Sequence, residues 1–176
     1  MLSDTDIDRY SRQILLSEIG GRGQERLLKS RVLVDGANPA AEHARLLLAR
    51  AGVAVADGGA VDCVVTVRAD LETITARVPL VVASASDTEL AVATLLGRPC
   101  VRCVAPEILH TSDDRDATLS PIVQQALGAL AAGEVLLVLL GQVQQGRAQR
   151  VALASGACEG RLLPTRDGCP VCEDSA

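Results

Sequence analysis

Arg31-Val32-Leu33-Val34-Asp35-Gly36 is an apolar run that closes on a turn former, and a second apolar-rich stretch from about Ala40 to Ala51 leads on to Val53-Ala54-Val55. Val, Leu and Val in succession, closed by Asp-Gly, read as a buried strand. The stretch after it reads as a helix with Gly52 as its natural C-cap. Strand, glycine-containing turn, helix and strand make a βαβ unit, the start of a doubly wound sheet. The expected fold class is therefore α/β. Composition agrees: the 176 residues are 48% hydrophobic but 1% aromatic, with one tyrosine, no tryptophan and no phenylalanine. Such a core is built from Leu, Val, Ala and Ile, which suits parallel strands buried on both faces.

Outward from that unit, residues Asp4 to Leu16 read as an N-terminal helix capped by Ser3 or Asp4, with Ile7, Tyr10, Ile14 and Leu15 as its apolar stripe. Gly20-Gly21-Arg22-Gly23 reads as a break before a short helix from Gln24 to Lys29. On the other side, Asp62 to Val67 reads as a strand that follows Val55 too soon for a crossover helix. The two strands then either form a hairpin or one lies outside the sheet. Asp70 to Ala76 reads as a helical turn, Val78 to Ala83 as a buried strand, and Thr88 to Leu95 as strand or helix. Asp113 to Asp116 reads as a solvated acidic turn. Ser120 and Pro121 open a long helix to about Gly141, and Arg150 to Leu153 reads as the last strand.

Two cysteine hooks frame the C-terminal part: Cys100-Val101-Arg102-Cys103 and Cys169-Pro170-Val171-Cys172. Four thiolates are the number a tetrahedral structural zinc ion accepts. Pro99, Gly168 and Pro170 supply the turns that aim two sulfurs at one point. With no strand-CxxC-helix pattern expected around either hook, zinc is favoured over a thiol redox pair. The chain from Val104 to Gly168 loops out between the hooks, so the metal would tie a distant segment to the chain's end. Cys63, in an apolar strand, reads as core, and Cys158 has no base near it in sequence. His43 and His110 belong to no constellation.

The net charge of −5 and a pI near 5.0 argue against a nucleic-acid partner, as does the lack of aromatic stacking platforms. The acidic start, Met1 to Asp6, does not read as a secretory signal. The run from Pro121 to Gly141 contains Gln124, Gln125 and Glu134 and lacks basic flanks, so it reads as a core helix and not a membrane span. Reduced thiolates suit a cytoplasmic location.

Three stretches together resemble the ThiF/MoeB/HesA family of ubiquitin-activating-like adenylyltransferases. They are Asp8-Arg9-Tyr10-Ser11-Arg12-Gln13-Ile14-Leu15-Leu16 with Gln24-Glu25-Arg26-Leu27 and Ser30 to Val34; Val78 to Cys103; and Pro121 to Gly141 with Gly168 to Cys172. The resemblance covers most of the chain, in the family's order, and the wide spacing of the hooks is the family's. It implies a shortened Rossmann-like sheet with an N-terminal helical arm (1–30), a reduced Rossmann-like part (31–98) and a zinc-stapled part (99–176), in one domain. It also implies ATP and Mg2+ as ligands, a homodimer or a heterodimer with a relative, and a ubiquitin-fold carrier protein as partner.

Set against the family's G-x-G-G-x-G, the loop Gly36-Ala37-Asn38-Pro39-Ala40-Ala41 keeps only Gly36, and its residues read as a plain strand-to-helix turn. Asp57 stands where the family places an acid for the ribose, and Arg12 matches an arginine that reaches ATP across the dimer. Arg12 also has Asp8 one helical turn away. The segment for the phosphate-binding arginine and lysine is missing, with no lysine beyond Lys29, and no cysteine lies between Val104 and Ala157. Asp70, near the family's magnesium-binding aspartate, reads as a helix cap. The expected function is a catalytically impaired relative that acts as partner or scaffold for a carrier or an active family member. The alternative is an active adenylyltransferase for a ubiquitin-like sulfur carrier.

Overall fold

The structure, a computed structural model, describes residues 1–67, 78–86, 88–108 and 120–173. The chain opens with two helices, α1 (Asp4–Ile14) and α2 (Gly20–Lys29). Then come β1 (Arg31–Asp35), α3 (Pro39–Arg50), β2 (Ala54–Ala56), β3 (Cys63–Thr66), β4 (Leu80–Ala85) and β5 (Glu89–Leu95). The C-terminal part adds α4 (Val101–Ile108), α5 (Pro121–Leu139), β6 (Arg147–Ala152), β7 (Cys158–Leu162) and the single turn α6 (Pro170–Glu173). The expectations for Asp70 to Ala76, His110 and Asp113 to Asp116 fall outside the described residues.

Ser3 starts α1 with a reciprocal cap: its Oγ accepts from the Asp6 amide, and the Asp6 carboxylate accepts from the Ser3 N–H. Of the stripe expected on this helix only Tyr10 is buried, while Leu15 is 84% exposed. The glycines after α1 do not break the chain. They form the first turn of α2, which begins at Gly20 and not at Gln24. Glycine costs about 1 kcal/mol per helical position, and the burial of Leu27 and of Gln24, whose Nε2 donates to the Ala51 carbonyl at 2.9 Å, offsets it.

The seven strands form one mixed sheet in the order β2-β1-β3-β4-β5-β6-β7. The first four are parallel and the last three antiparallel. Neither arrangement expected for β2 and β3 occurs. Both run parallel to β1, on opposite sides of it. Two strand spacings are roughly 10 Å, and the link over residues 57–62 can stretch to roughly 20 Å, so no helix is needed. Asp62 fixes its arrival, donating its N–H to the Arg31 carbonyl and accepting the Arg31 N–H on Oδ2, both at 2.8 Å. Thr88 to Leu95 resolves as strand, and the last strand is not Arg150 to Leu153: β6 ends at Ala152 and β7 follows a tight return.

One face of the sheet carries the larger core. Val32, Val34, Val65, Val81, Leu90 and Val92 meet α3 and the inner face of α5 there. The smaller core lies on the opposite face, where Leu80, Val82, Ala93, Leu95 and Ala148 pack with Val104 of α4 and with Leu163. Among the described residues α5 is long and apolar enough to cross a membrane, with mean hydropathy 1.8, yet Leu127, Ala131, Ala132, Val135 and Leu139 are spent on the larger core. It is a core helix, as its polar residues suggested.

Gly128 sets how closely α5 approaches α3. A Cβ there would collide with the Ala40 carbonyl oxygen and sit 3.0 Å from the His43 Cβ. Gly128→Ala is therefore expected to lower stability by about 1–3 kcal/mol, despite alanine's better helix propensity. Gly133→Ala, with nothing within 4 Å, is the matched control and should be neutral or stabilising. Urea unfolding of the two variants checks the difference.

Candidate metal centre

β5 delivers the first hook. After a turn over residues 96–99, Cys100 sits just ahead of α4 and Cys103 lies in its first turn, with the Cys103 N–H donating to the Cys100 carbonyl at 3.0 Å. This is a strand-CxxC-helix arrangement, which the sequence reading did not expect around either hook. The second hook uses the same local device at α6, the Cys172 N–H donating to the Cys169 carbonyl at 3.0 Å. Each turn brings its own two sulfurs to one side.

The sulfur geometry, more than the local pattern, bears on the choice between redox pair and metal site. The Cys100 and Cys103 sulfurs are 3.8 Å apart, Cys100 is 3.6 Å from Cys169, and Cys103 is 3.6 Å from Cys172. All four sulfurs lie within 4.8 Å of one another. A tetrahedral zinc with bonds of about 2.3 Å separates its sulfurs by about 3.8 Å. The four cysteines can therefore hold a metal ion, and their spacing fits zinc. Cys169 and Cys172 are buried, and the Arg166 backbone N–H donates to the Cys103 sulfur at 3.5 Å, the kind of outer contact that orients a ligand. Arg98 and Arg166 line the cleft beside Cys169 and Cys172.

The thiols are not equivalent. The N–H of Cys172 draws Cys169 down to about 7, whereas burial pushes Cys172 up to about 12 and raises Cys100. Thiolate ligation releases the thiol protons, so metal affinity falls as pH drops. Cys63 is a core thiol, pushed up to about 12 by burial and then by the Asp62 charge, and Cys158 is exposed on β7.

The residues expected at a nucleotide site are placed differently. Gly36 and Asp57 follow β1 and β2, so they stand at the carboxyl ends of neighbouring parallel strands, the edge where α/β sheets bind ligands. Asp57 is exposed there. Arg12 is exposed on α1, and the ion pair with Asp8 does not form among the described residues. Gly36 keeps a φ of +139°, and a Cβ on it would meet the Ala41 Cβ at 3.1 Å.

Two residues of this region escaped the sequence reading. Asn38 caps α3, its Oδ1 accepting from the Ala41 N–H at 2.9 Å while its Nδ2 donates to the Val67 carbonyl at 2.7 Å. The signal was present, since Asn before Pro is an N-cap followed by a favoured first helical residue. Arg45 donates to the carbonyls of Val34 and Gly36, both at 2.7 Å. Nothing local marks it, because its acceptors, on β1 and in the loop just after it, lie 11 and 9 residues back in the chain.

No family profile matches the chain. It is 31% identical over 153 residues to the sulfur carrier protein ThiS adenylyltransferase of Escherichia coli K12, covering 87% of this chain and 47% of that protein. It is 54% identical over 52 residues to the adenylyltransferase and sulfurtransferase MOCS3 of Anopheles gambiae, covering 30% of this chain and 12% of that protein. The chain thus spans less than half the length of these curated relatives. Among solved structures, Escherichia coli MccB with MccA-N7isoASN shares the fold with a TM-score of 0.71 at 12% identity, over 97% of this chain and 75% of that one.

Proposed function

We propose that this chain, a member of the ThiF/MoeB family of adenylyltransferase-like proteins, is a zinc-stapled relative that holds a carrier protein or an active family member without itself adenylating it. The observation that supports this most is the loop from Gly36 to Ala41. A phosphate is held at such a loop by free amides at the helix N-terminus and by close backbone approach. Here the Asn38 side chain already occupies the Ala41 amide, Pro39 has no N–H, and Ala41 carries a Cβ against Gly36. The Arg45 guanidinium is turned onto the carbonyls of Val34 and Gly36. An incoming phosphate would have to displace hydrogen bonds the chain makes with itself.

The Escherichia coli relative is named for adenylating the sulfur carrier ThiS, and a ubiquitin-fold carrier of that kind is the partner proposed here. Zinc in the four-cysteine centre, a reducing cytoplasmic location and a paired state, homodimer or heterodimer, belong to the same reading. Titrating ATP·Mg2+ into zinc-replete protein by calorimetry is expected to give no saturable heat. ATP–pyrophosphate exchange with a carrier ending in Gly-Gly is expected to stay at the blank rate. Saturable heat together with exchange would replace this reading with that of an active adenylyltransferase.

A further inference from the structure

Four sulfurs can pair in three ways, and the four of the cysteine centre are not arranged alike for each. Cys169 meets Cys100 and Cys172 meets Cys103, both at 3.6 Å, so each sulfur of the second hook has its close neighbour in the first. Cys100 and Cys103, of one hook, are 3.8 Å apart. Pairing Cys100 with Cys169 and Cys103 with Cys172 uses both of the shortest contacts and leaves no sulfur over. Closing Cys100 on Cys103 instead takes the neighbour from each of the other two.

The choice matters to the fold. The smaller core rests Val104 and Leu163 on a few strand residues, so the link between the hooks decides whether α4 and residues 163–173 stay docked. Bonds within each hook would cut that link, and bonds across the hooks would keep it. Small oxidants can reach the sulfurs, since Cys100 and Cys103 are half-buried and a cleft of about 340 Å³ is lined by Cys169 and Cys172.

We propose that the centre is a staple with two chemical forms: four thiolates on a metal ion, and, after oxidation by a hydroperoxide, two disulfides, Cys100–Cys169 and Cys103–Cys172, that hold the same segments together once the ion has left. The first form rests on the zinc reading of the centre. In the oxidation a thiolate attacks one peroxide oxygen, the O–O bond breaks, and the sulfur becomes a sulfenic acid while the other oxygen leaves as water. The thiolate in contact across the hooks attacks that sulfur, forming the S–S bond and expelling its hydroxyl as a second water. Each disulfide gives two electrons to one hydrogen peroxide and takes up two protons. Two peroxides therefore convert all four thiolates, leaving two disulfides, four waters and a free dication, because the thiolate is the ligand.

The test uses the zinc-replete full chain carrying Cys158→Ser, which removes the exposed thiol. Hydrogen peroxide at two equivalents should release the zinc, read with a chelating dye. Trypsin cuts after Arg102 and Arg166 and leaves Cys169 and Cys172 on one peptide. Digested without reduction, the cross-hook form links three peptides into one mass: those ending at Arg102, beginning at Cys103 and beginning at Asp167. Bonds within the hooks would link the first two and close the third on itself. Fragmentation between Cys169 and Cys172 should assign Cys100 to Cys169. Amides of α4 should keep their exchange protection in the oxidised, zinc-free chain and lose it when chelator and reductant are both present. Bonds within the hooks, Cys100 found on Cys172, thiols and zinc that survive the peroxide, or an oxidised chain with α4 unprotected would each overturn the two-form staple. Metal analysis of the untreated chain tests the zinc reading by itself.

Discussion

Replacing Cys172 with serine is expected to abolish metal binding and to unfold α4 together with residues 163–173, while the larger core stays folded. The four sulfurs join two segments 69 residues apart in sequence. A structural zinc site contributes on the order of 10–16 kcal/mol, comparable with the whole stability of a typical domain, about 5–15 kcal/mol. What remains without it is the smaller core, in which Val104 and Leu163 rest on five residues of β4, β5 and β6. That patch is too small to hold two chain segments in place. The larger core draws on β1, β3, β4, β5, α3 and α5 and includes no cysteine of the centre, so it should survive. Zinc content by metal analysis should fall to zero, and Cys100→Ser should behave alike. With one tyrosine and no tryptophan, fluorescence is a poor reporter. Hydrogen exchange is the better one: α4 should lose protection while α3 and α5 keep it. Cys158→Ser, at an exposed position, should change neither reading. A metal-free Cys172→Ser protein with α4 still protected would remove the centre's role as a staple.

The parts of the fold legible in the sequence are those with a local cause. The hooks announce themselves by spacing, α5 by Ser120-Pro121 and its apolar length, and β1 by its unbroken Val-Leu-Val. The parts that were not legible are decided by distant partners. Nothing within 57–62 shows that this link carries the chain past β1 from one side to the other; that is settled by β1 offering both edges and by Asp62 reaching Arg31. β7 has no apolar alternation because both its faces are exposed, and only pairing with β6 makes it a strand. The glycines before Gln24 read as a break because propensity was weighed without the buried side chains that dock α2. At the nucleotide loop the loss of glycines was plain in the sequence. What was missing was the tie from Asn38 to the Val67 carbonyl and the turn of Arg45 onto the Val34 and Gly36 carbonyls, contacts made across elements.

The second large effect expected is at Arg147. Its partner Glu134 projects from α5 at the sheet and is 5% exposed. The carboxylate accepts from Thr94 Oγ1 at 2.7 Å, from the Arg147 guanidinium at 2.8 and 3.2 Å, and from Gln149 Nε2 at 3.0 Å. A single carboxylate in so apolar a helix had to find a countercharge, and that requirement, unlike its answer, can be read from sequence. Arg147→Ala removes the charge and two of the four bonds, leaving a buried anion facing a hydroxyl and an amide. Breaking one side of a buried pair costs about 3–5 kcal/mol; with the arginine side chain 28% exposed, the lower end applies, near 3 kcal/mol. At roughly 2–4 °C per kcal/mol for a chain of this size, the melting temperature should fall by about 10 °C. Replacing both residues by apolar ones of similar length, Glu134→Leu with Arg147→Met, should recover most of the loss, because the intact pair adds little over a packed hydrophobic contact. The comparison separates two roles for the network. If Arg147→Ala stays within about 0.5 kcal/mol of the parent, a surface-like change, the pair is ornamental to stability. If the single variant falls and the double recovers, Glu134 acts as the register pin that ties α5, and with it the larger core, to β5 and β6. In that case Arg147→Ala should also loosen β6 and, through it, β7.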